Sequence, residues 1–263
     1  MSAFSGLVHL HSTYSRDGSL SLAEIRGRMK AGGYRFALMA EHAEDLDGKT
    51  LANFIAECRA LSDADALLIP GVEFHDRCVA TCGLTRPVRF DGDEAERLAA
   101  CLAEDTFNVL VHPSGARPMP AAGGGLDRVH AVEVWNVKAD GGRYPSLKRI
   151  AAWKRLRRTR DVHPIVAIDL HDARQFISLT VEVEADELTA DAVLTAMKAG
   201  RYRLRRGDRT WDVDRLPLML RTKMRANALV RAVAAGLRKA LGRVVPKRLR
   251  RSVKALIDGG RHE

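Results

Sequence analysis

The sequence predicts an α/β fold built on a (β/α) barrel, and three observations lead there. Strand-like and helix-like segments alternate along most of the chain, a pattern that favours a parallel sheet covered by helices. Strand-like runs end near His9, Ala40, Glu73, Gly83, His112, Trp135 and Asp169, a count of about seven. His, Asp or Glu recurs at those ends, and a parallel barrel gathers its strand ends on one active face.

The helices follow from their punctuation. Residues 21–32 read as a helix with Ser21 at its start and Gly32 at its end. Residues 50–61, 92–103, 145–158 and 189–199 also read as helices. Gly123-Gly124-Gly125 lacks a following Lys and helix signature, so it reads as a loop rather than a phosphate cradle. No Gly-x-Ser-x-Gly elbow is present.

The chemistry starts with His9 and His11, two apart in an apolar run and therefore on one side of a strand. Asp169 and His171 repeat that spacing after Pro164-Ile165-Val166-Ala167-Ile168. Glu41-His42, Glu73 and His112 end three further apolar runs. A lone His at a strand end is more often a hydrogen-bonded or surface residue than a ligand. Its repetition at successive strand ends points instead to one metal centre. Mixed imidazole and carboxylate donors suit Mn, Zn or Fe better than Mg or Ca.

These motifs resemble those of the PHP (polymerase and histidinol phosphatase) metallohydrolases. His9-x-His11-Ser12-x-x-Ser15-x-Asp17-Gly18 resembles the first motif, and Glu41-His42 stands where Asp-His is usual. Pro70-Gly71-Val72-Glu73, Val111-His112-Pro113 and Asp169-Leu170-His171 resemble later ones, and Val132-Glu133-Val134-Trp135-Asn136 is similar to the sixth strand of some members. The resemblance covers residues 5–205. It implies a distorted seven-stranded TIM-like barrel, two or three divalent ions, and hydrolysis of a phosphoester by metal-activated hydroxide.

The ligands implied by the resemblance are His9, His11, Glu73 and Asp169 for one ion, and Asp17, His42 and His171 for a second. Glu73 would bridge to a third ion with His112. Catalytic roles fall to Asp17, His42, Glu73 and His171. Three-ion members usually supply another His after the Glu. Here Cys78 holds that offset, with His75 two residues beyond Glu73. Cys78 reads more simply as a half-buried strand residue. Phosphate contacts are expected from Arg16, Arg117 and Arg174, with Lys138 and Arg143 also on active-face loops.

Charge is unevenly placed. The chain has 43 Lys and Arg against 33 Asp and Glu, a net of +10. Residues 215–263 hold 14 against 2, a net of +12, which leaves residues 1–214 at 29 against 31, a net of −2. Two parts are therefore expected: a barrel over 1–214 and a basic amphipathic helical tail over 215–263. In the tail, Val230, Val233, Leu237 and Leu241 keep helical spacing, Pro246 interrupts, and Leu249, Val253 and Ile257 form a second stripe. The tail fits docking or self-association as a homo-oligomer, an anionic membrane surface, or nucleic-acid phosphates. No aromatic residue follows Trp211, which removes base-stacking platforms and interfacial aromatic anchors alike.

Cys58, Cys78, Cys82 and Cys101 show no disulfide spacing, which suggests a reducing compartment. No signal peptide or spanning segment is evident. The expected location is the cytoplasm, with peripheral membrane attachment as one reading of the tail. The expected function is hydrolysis of a small phosphorylated compound or nucleotide. The alternatives are a nuclease recruited to RNA or DNA by the tail, and a catalytically weak binding protein.

Overall fold

The computed structural model describes residues 1–113, 126–141 and 143–244. Arg117, Gly123-Gly124-Gly125, Pro246 and the Leu249, Val253 and Ile257 stripe lie outside the described residues. The chain forms two compact units, Met1–Leu216 and a second beginning at Pro217.

In the first unit the order is β1 (Ser2–Leu10), α1 (Leu22–Ala31), β2 (Phe36–Met39), β3 (Glu41–His42), α2 (Gly48–Leu61), β4 (Leu67–Ile69), β5 (Gly71–Phe74) and β6 (Val79–Cys82). Then come α3 (Glu94–Leu102), β7 (Phe107–Leu110), β8 (Ala131–Asn136), α4 (Val137–Asp140), α5 (Leu147–Leu156) and β9 (His163–Ala167). It ends with β10 (Leu179–Ala185), α6 (Ala190–Lys198), β11 (Tyr202–Arg206) and β12 (Arg209–Trp211). In the second unit the described residues form α7 (Leu218–Val244).

The fold is mixed α/β, and it departs from a closed seven-stranded parallel barrel. The strands pair as two sheets of six, in the orders β12-β11-β10-β1-β2-β4 and β3-β5-β6-β7-β8-β9. β6 runs antiparallel to both neighbours, as does β10 between β1 and β11. The contact between sheets at β1 and β9 is an isolated bridge, Leu10 to Leu170, with Ile168 N–H donating to Val8 and Leu170 N–H to His9.

Pro70 explains one break. The run expected as a single strand splits there into β4, on the first sheet, and β5, on the second. Proline has no N–H to donate to a ladder. The chain also leaves one sheet for the other at Ala40, whose N–H donates to Leu10. Gly71 opens β5 because a Cβ there would sit 2.4 Å from the Met39 carbonyl and 2.6 Å from that of Thr81.

The helices keep close to their expected spans. α1 starts at a capping box in which Ser21 accepts from the Glu24 N–H and Glu24 accepts from the Ser21 N–H. Asp93 and Glu96 make the same arrangement at α3. The core lies between helices and sheets, with Phe36, Phe54, Phe74, Phe107 and Trp135 each under 2% exposed. No helix among the described residues is long and apolar enough to cross a membrane.

Candidate metal centre

Two bulges and three left-handed residues aim the site. β1 skips a partner between Val8 and Leu10, so His9 is the extra residue, with φ of 67°. His9 and His11 therefore converge through a bulge and not through plain strand alternation. β8 shifts register between Glu133 and Trp135. That extra residue puts Asn136 on the face of Glu133, where Asn136 Nδ2 donates to Glu133 Oε2 at 3.1 Å and to Asp169 Oδ2 at 3.0 Å. His112 and Asp169 follow β7 and β9 with φ of 43° and 52°. Left-handed backbone at such residues costs about 1–3 kcal/mol each and persists only where surroundings over-determine it.

The residues read as ligands from the sequence meet in one cluster. His9 Nε2 lies 3.2 Å from Glu73 Oε2 and 3.8 Å from Asp169 Oδ1. His11 Nε2 lies 3.5 and 3.6 Å from the same two atoms. Asp17 joins His42 Nε2 and His171 Nε2, each at 3.2 Å. His42 Nδ1 is 3.3 Å from Glu73 Oε2. His112 sits 3.6 Å from Glu73 Oε1 and 3.2 Å from Asp169 Oδ2. Metal bonds of about 2.0–2.3 Å hold ligand atoms about 3–4 Å apart, so this spacing fits shared ions.

Three overlapping groups have the right compactness: His11, His42, His171; His9, His11, Glu73; and His9, His112, Asp169. Neither His75 nor Cys78 belongs to such a group among the described residues. Cys78 is buried at the end of a turn, with φ of 54°, and its carbonyl accepts from Val111.

The hydrogen bonds fix the Nδ1 of three imidazoles and turn their Nε2 toward the cluster. His9 Nδ1 donates to Glu133 Oε1 at 2.6 Å, and His171 Nδ1 to the Asp169 carbonyl at 3.0 Å. Ser15 Oγ gives its proton to Glu41 Oε2 at 2.6 Å, so His11 Nδ1, 3.4 Å away, must be the donor of that pair. In each case Nε2 is the nitrogen turned toward the cluster: His11 Nε2 has no hydrogen-bond partner, His9 Nε2 lies against Glu73 and His171 Nε2 beside Lys138, the orientation that second partners impose on metal-binding histidines. Glu41 is wholly buried and also accepts from the Ser12 N–H at 2.9 Å. It clamps the loop of the first motif from behind. Gly18 closes that loop against the Ser12 carbonyl, 2.0 Å from where a Cβ would stand.

The test of fit is what remains unpartnered. His11 Nε2, His42 Nδ1, Glu73 Oε1, His112 Nε2 and Asp169 Oδ1 are buried without a hydrogen-bond partner. Such atoms are costly unless satisfied. All are ligand types and all belong to this cluster, so the residues fit divalent ions.

Electrostatics separate the imidazoles. Burial drives His11 down to about 3, so it stays neutral and able to ligate. Burial also opposes charge on His9, but Glu73, Glu133 and Asp169 outweigh it and raise His9 well above its usual value. The same pairings overcome burial on Glu73 and Asp169 and hold both carboxylates well below their usual range. His171 is lowered by burial, helped by nearby Lys138.

Of the expected phosphate contacts, Arg16 and Arg174 are paired with carboxylates in the structure. Arg16 is exposed and engaged by Glu44 at 3.3 Å and Asp45 at 3.4 Å. Arg174 is gripped by both oxygens of Asp172, at 3.2 and 3.0 Å. Local carboxylates two residues away or across the loop take these guanidiniums. Among the described residues, Lys138 stands at the cluster, its Nζ 2.7 Å from His171 Nε2 and 3.6 Å from Asp17 Oδ2. In the sequence Glu133 and Asn136 stand out only as part of a strand-like run, with no site role, and the buried Arg149, whose Nη1 is 3.5 Å from Glu133, is not anticipated. An acid between valines in an apolar run was the available signal for Glu133.

No protein-family model matches the chain, and no curated protein matches it. Solved structures do. One is a two-domain protein from Bacteroides vulgatus ATCC 8482 containing a predicted PHP-like metal-dependent phosphoesterase. It is 15% identical with a TM-score of 0.58, over 80% of this chain and 66% of that one. Another is PsfC from Pseudomonas syringae PB-5123, 17% identical with a TM-score of 0.54, over 86% of this chain and 99% of that one. At these identities the likeness is one of fold.

Proposed function

We propose that this protein is a metal-dependent phosphoesterase that hydrolyses a small phosphorylated compound or nucleotide. The observation that carries the reading is the set of five buried, unpartnered ligand atoms from His11, His42, Glu73, His112 and Asp169. His9, His11, Glu73 and Asp169 would hold one ion, and Asp17, His42 and His171 a second, with His112 beside Glu73 and Asp169 for a third. Bound Mn, Zn or Fe would supply activated water and neutralise charge on the phosphoryl oxygens.

The chain's own residues do the rest. Glu133, Ser15 and the Asp169 carbonyl hold His9, His11 and His171 in the tautomer that presents Nε2. Asn136 fixes Asp169 and Glu133 together. Lys138 stands beside His171 and Asp17, where it binds a phosphoryl oxygen of the substrate and orients it toward the cluster. A small substrate is favoured over a polymer because residues 1–214 carry a net charge of −2, and wrapping nucleic acid requires many phosphate-neutralising cations.

The test is metal analysis of the purified protein, followed by a panel of phosphomonoesters, phosphodiesters and nucleotides with added Mn. Metal bound in stoichiometric amount, with turnover abolished by a chelator, is the expected result. A protein that takes up no Mn, Zn or Fe overturns the reading.

A further inference from the structure

Helix α7 leaves an apolar stripe in solvent. Leu218, Met219, Leu229, Val230, Val233 and Leu237 expose between 53% and 77% of their surface. At about 100° per residue they share an arc of about 120°. Met224, only 2% exposed, falls on the opposite side of the helix. A run of six large apolar side chains along one helix is not the scatter of single exposed residues normal on protein surfaces.

The charge of α7 says what would cover the stripe. Its 27 residues include seven Lys and Arg and no Asp or Glu. Arg221, Lys223 and Arg225 are exposed. We propose that α7 lies in the plane of an anionic lipid surface, with the stripe in the boundary of the acyl chains and its cations against the headgroup phosphates. Apolar burial and attraction to anionic headgroups then act together on one helix. A second copy of α7 on the same stripe would bring two cationic helices together with no acidic residue on either to neutralise them. Nucleic acid would satisfy the charge and leave the leucines and valines wet. This inference rests on α7 alone and is independent of the metal centre.

The experiment uses the full-length protein and co-sedimentation with vesicles of phosphatidylcholine alone or phosphatidylcholine with phosphatidylserine. Binding to the phosphatidylserine vesicles is expected to be about tenfold or more tighter, and to fall steeply with added salt. The double variant L229E/V233E, checked for its fold by circular dichroism, should lose about tenfold or more of that binding. R221S/R225S should weaken it less and flatten the salt dependence.

Three results overturn the proposal. Equal or absent sedimentation with both vesicles in low salt removes the lipid surface, whatever the variants do. A wild-type dimer that L229E/V233E converts to monomer, without vesicle binding, assigns the stripe to a second copy. Salt-sensitive binding to single-stranded RNA that L229E/V233E leaves intact, again without vesicle binding, assigns the charge to nucleic acid.

Discussion

Replacing Glu133 by Gln should weaken metal binding without unfolding the protein. Glu133 serves two kinds of donor. Oε1 accepts from His9 Nδ1 at 2.6 Å, while Oε2 accepts from the His112 N–H at 3.0 Å and from Asn136 Nδ2 at 3.1 Å. A glutamine has one carbonyl oxygen. If that oxygen faces His9, its NH2 group meets the His112 N–H and the Asn136 amide, donor against donor. If it faces the other way, His9 loses its acceptor and its fixed tautomer. The lost charge-assisted hydrogen bond is worth about 1.5–3 kcal/mol. At about 1.4 kcal/mol per tenfold, Mn affinity should fall about 10- to 100-fold, the range typical of such supporting partners. Competition with a chelating dye reads the affinity, and circular dichroism checks the fold. A folded E133Q with Mn affinity and turnover within about threefold of wild type would refute the idea that Glu133 orients His9.

Other outcomes follow from the same geometry. His11→Ala should lose bound metal and nearly all turnover while keeping its circular dichroism spectrum; full activity with metal still bound defeats the mechanism. Metal-free protein should lose thermal stability as pH falls from about 6.5 toward 4. His11 is held neutral down to about 3, so in that window the unfolded chain binds a proton that the folded chain refuses. The raised His9 has the opposite sign, but its contribution is fully present below 6.5 and is lost only at higher pH. Melting curves of His11→Gln in chelator should be flatter over this range, and an unchanged slope counts against the assignment. Lys138→Met should raise KM for a small phosphoester about tenfold or more with metal content unchanged, whereas Arg174→Ala, its guanidinium held by Asp172, should move KM less than about twofold. Gly71→Ala should destabilise the fold by about 1–3 kcal/mol, read by denaturant unfolding, because the added Cβ meets the Met39 and Thr81 carbonyls.

Much of the candidate site was legible because its residues follow apolar runs, and an ionisable group repeated at strand ends is a pattern visible without structure. The partners of those residues were harder to see. Glu133 and Asn136 share a face only through the bulge in β8, and nothing in Val132-Glu133-Val134-Trp135-Asn136 announces an extra residue. The left-handed positions were equally hidden, since none of His9, His112 and Asp169 is glycine. Helix ends were readable from chemistry that acts locally, such as the Ser21–Glu24 box. Sheet closure was not, because it depends on which distant strands pair. Even so, the alternation Thr180-Val181-Glu182-Val183-Glu184 carried the period of a half-buried strand, and β10 was missed although the signal was present.

The left-handed backbone at His9, His112 and Asp169 bears on how this chain would evolve. Glycine would relax any of the three positions, and asparagine is the side chain that best tolerates the conformation at 112 or 169. Selection for heat resistance alone, with no demand on activity, should therefore drift toward those residues and silence the centre as it hardens the fold. A natural variant of this chain with glycine at one of these sites, or asparagine at 112 or 169, would have traded a candidate ligand for an easier backbone.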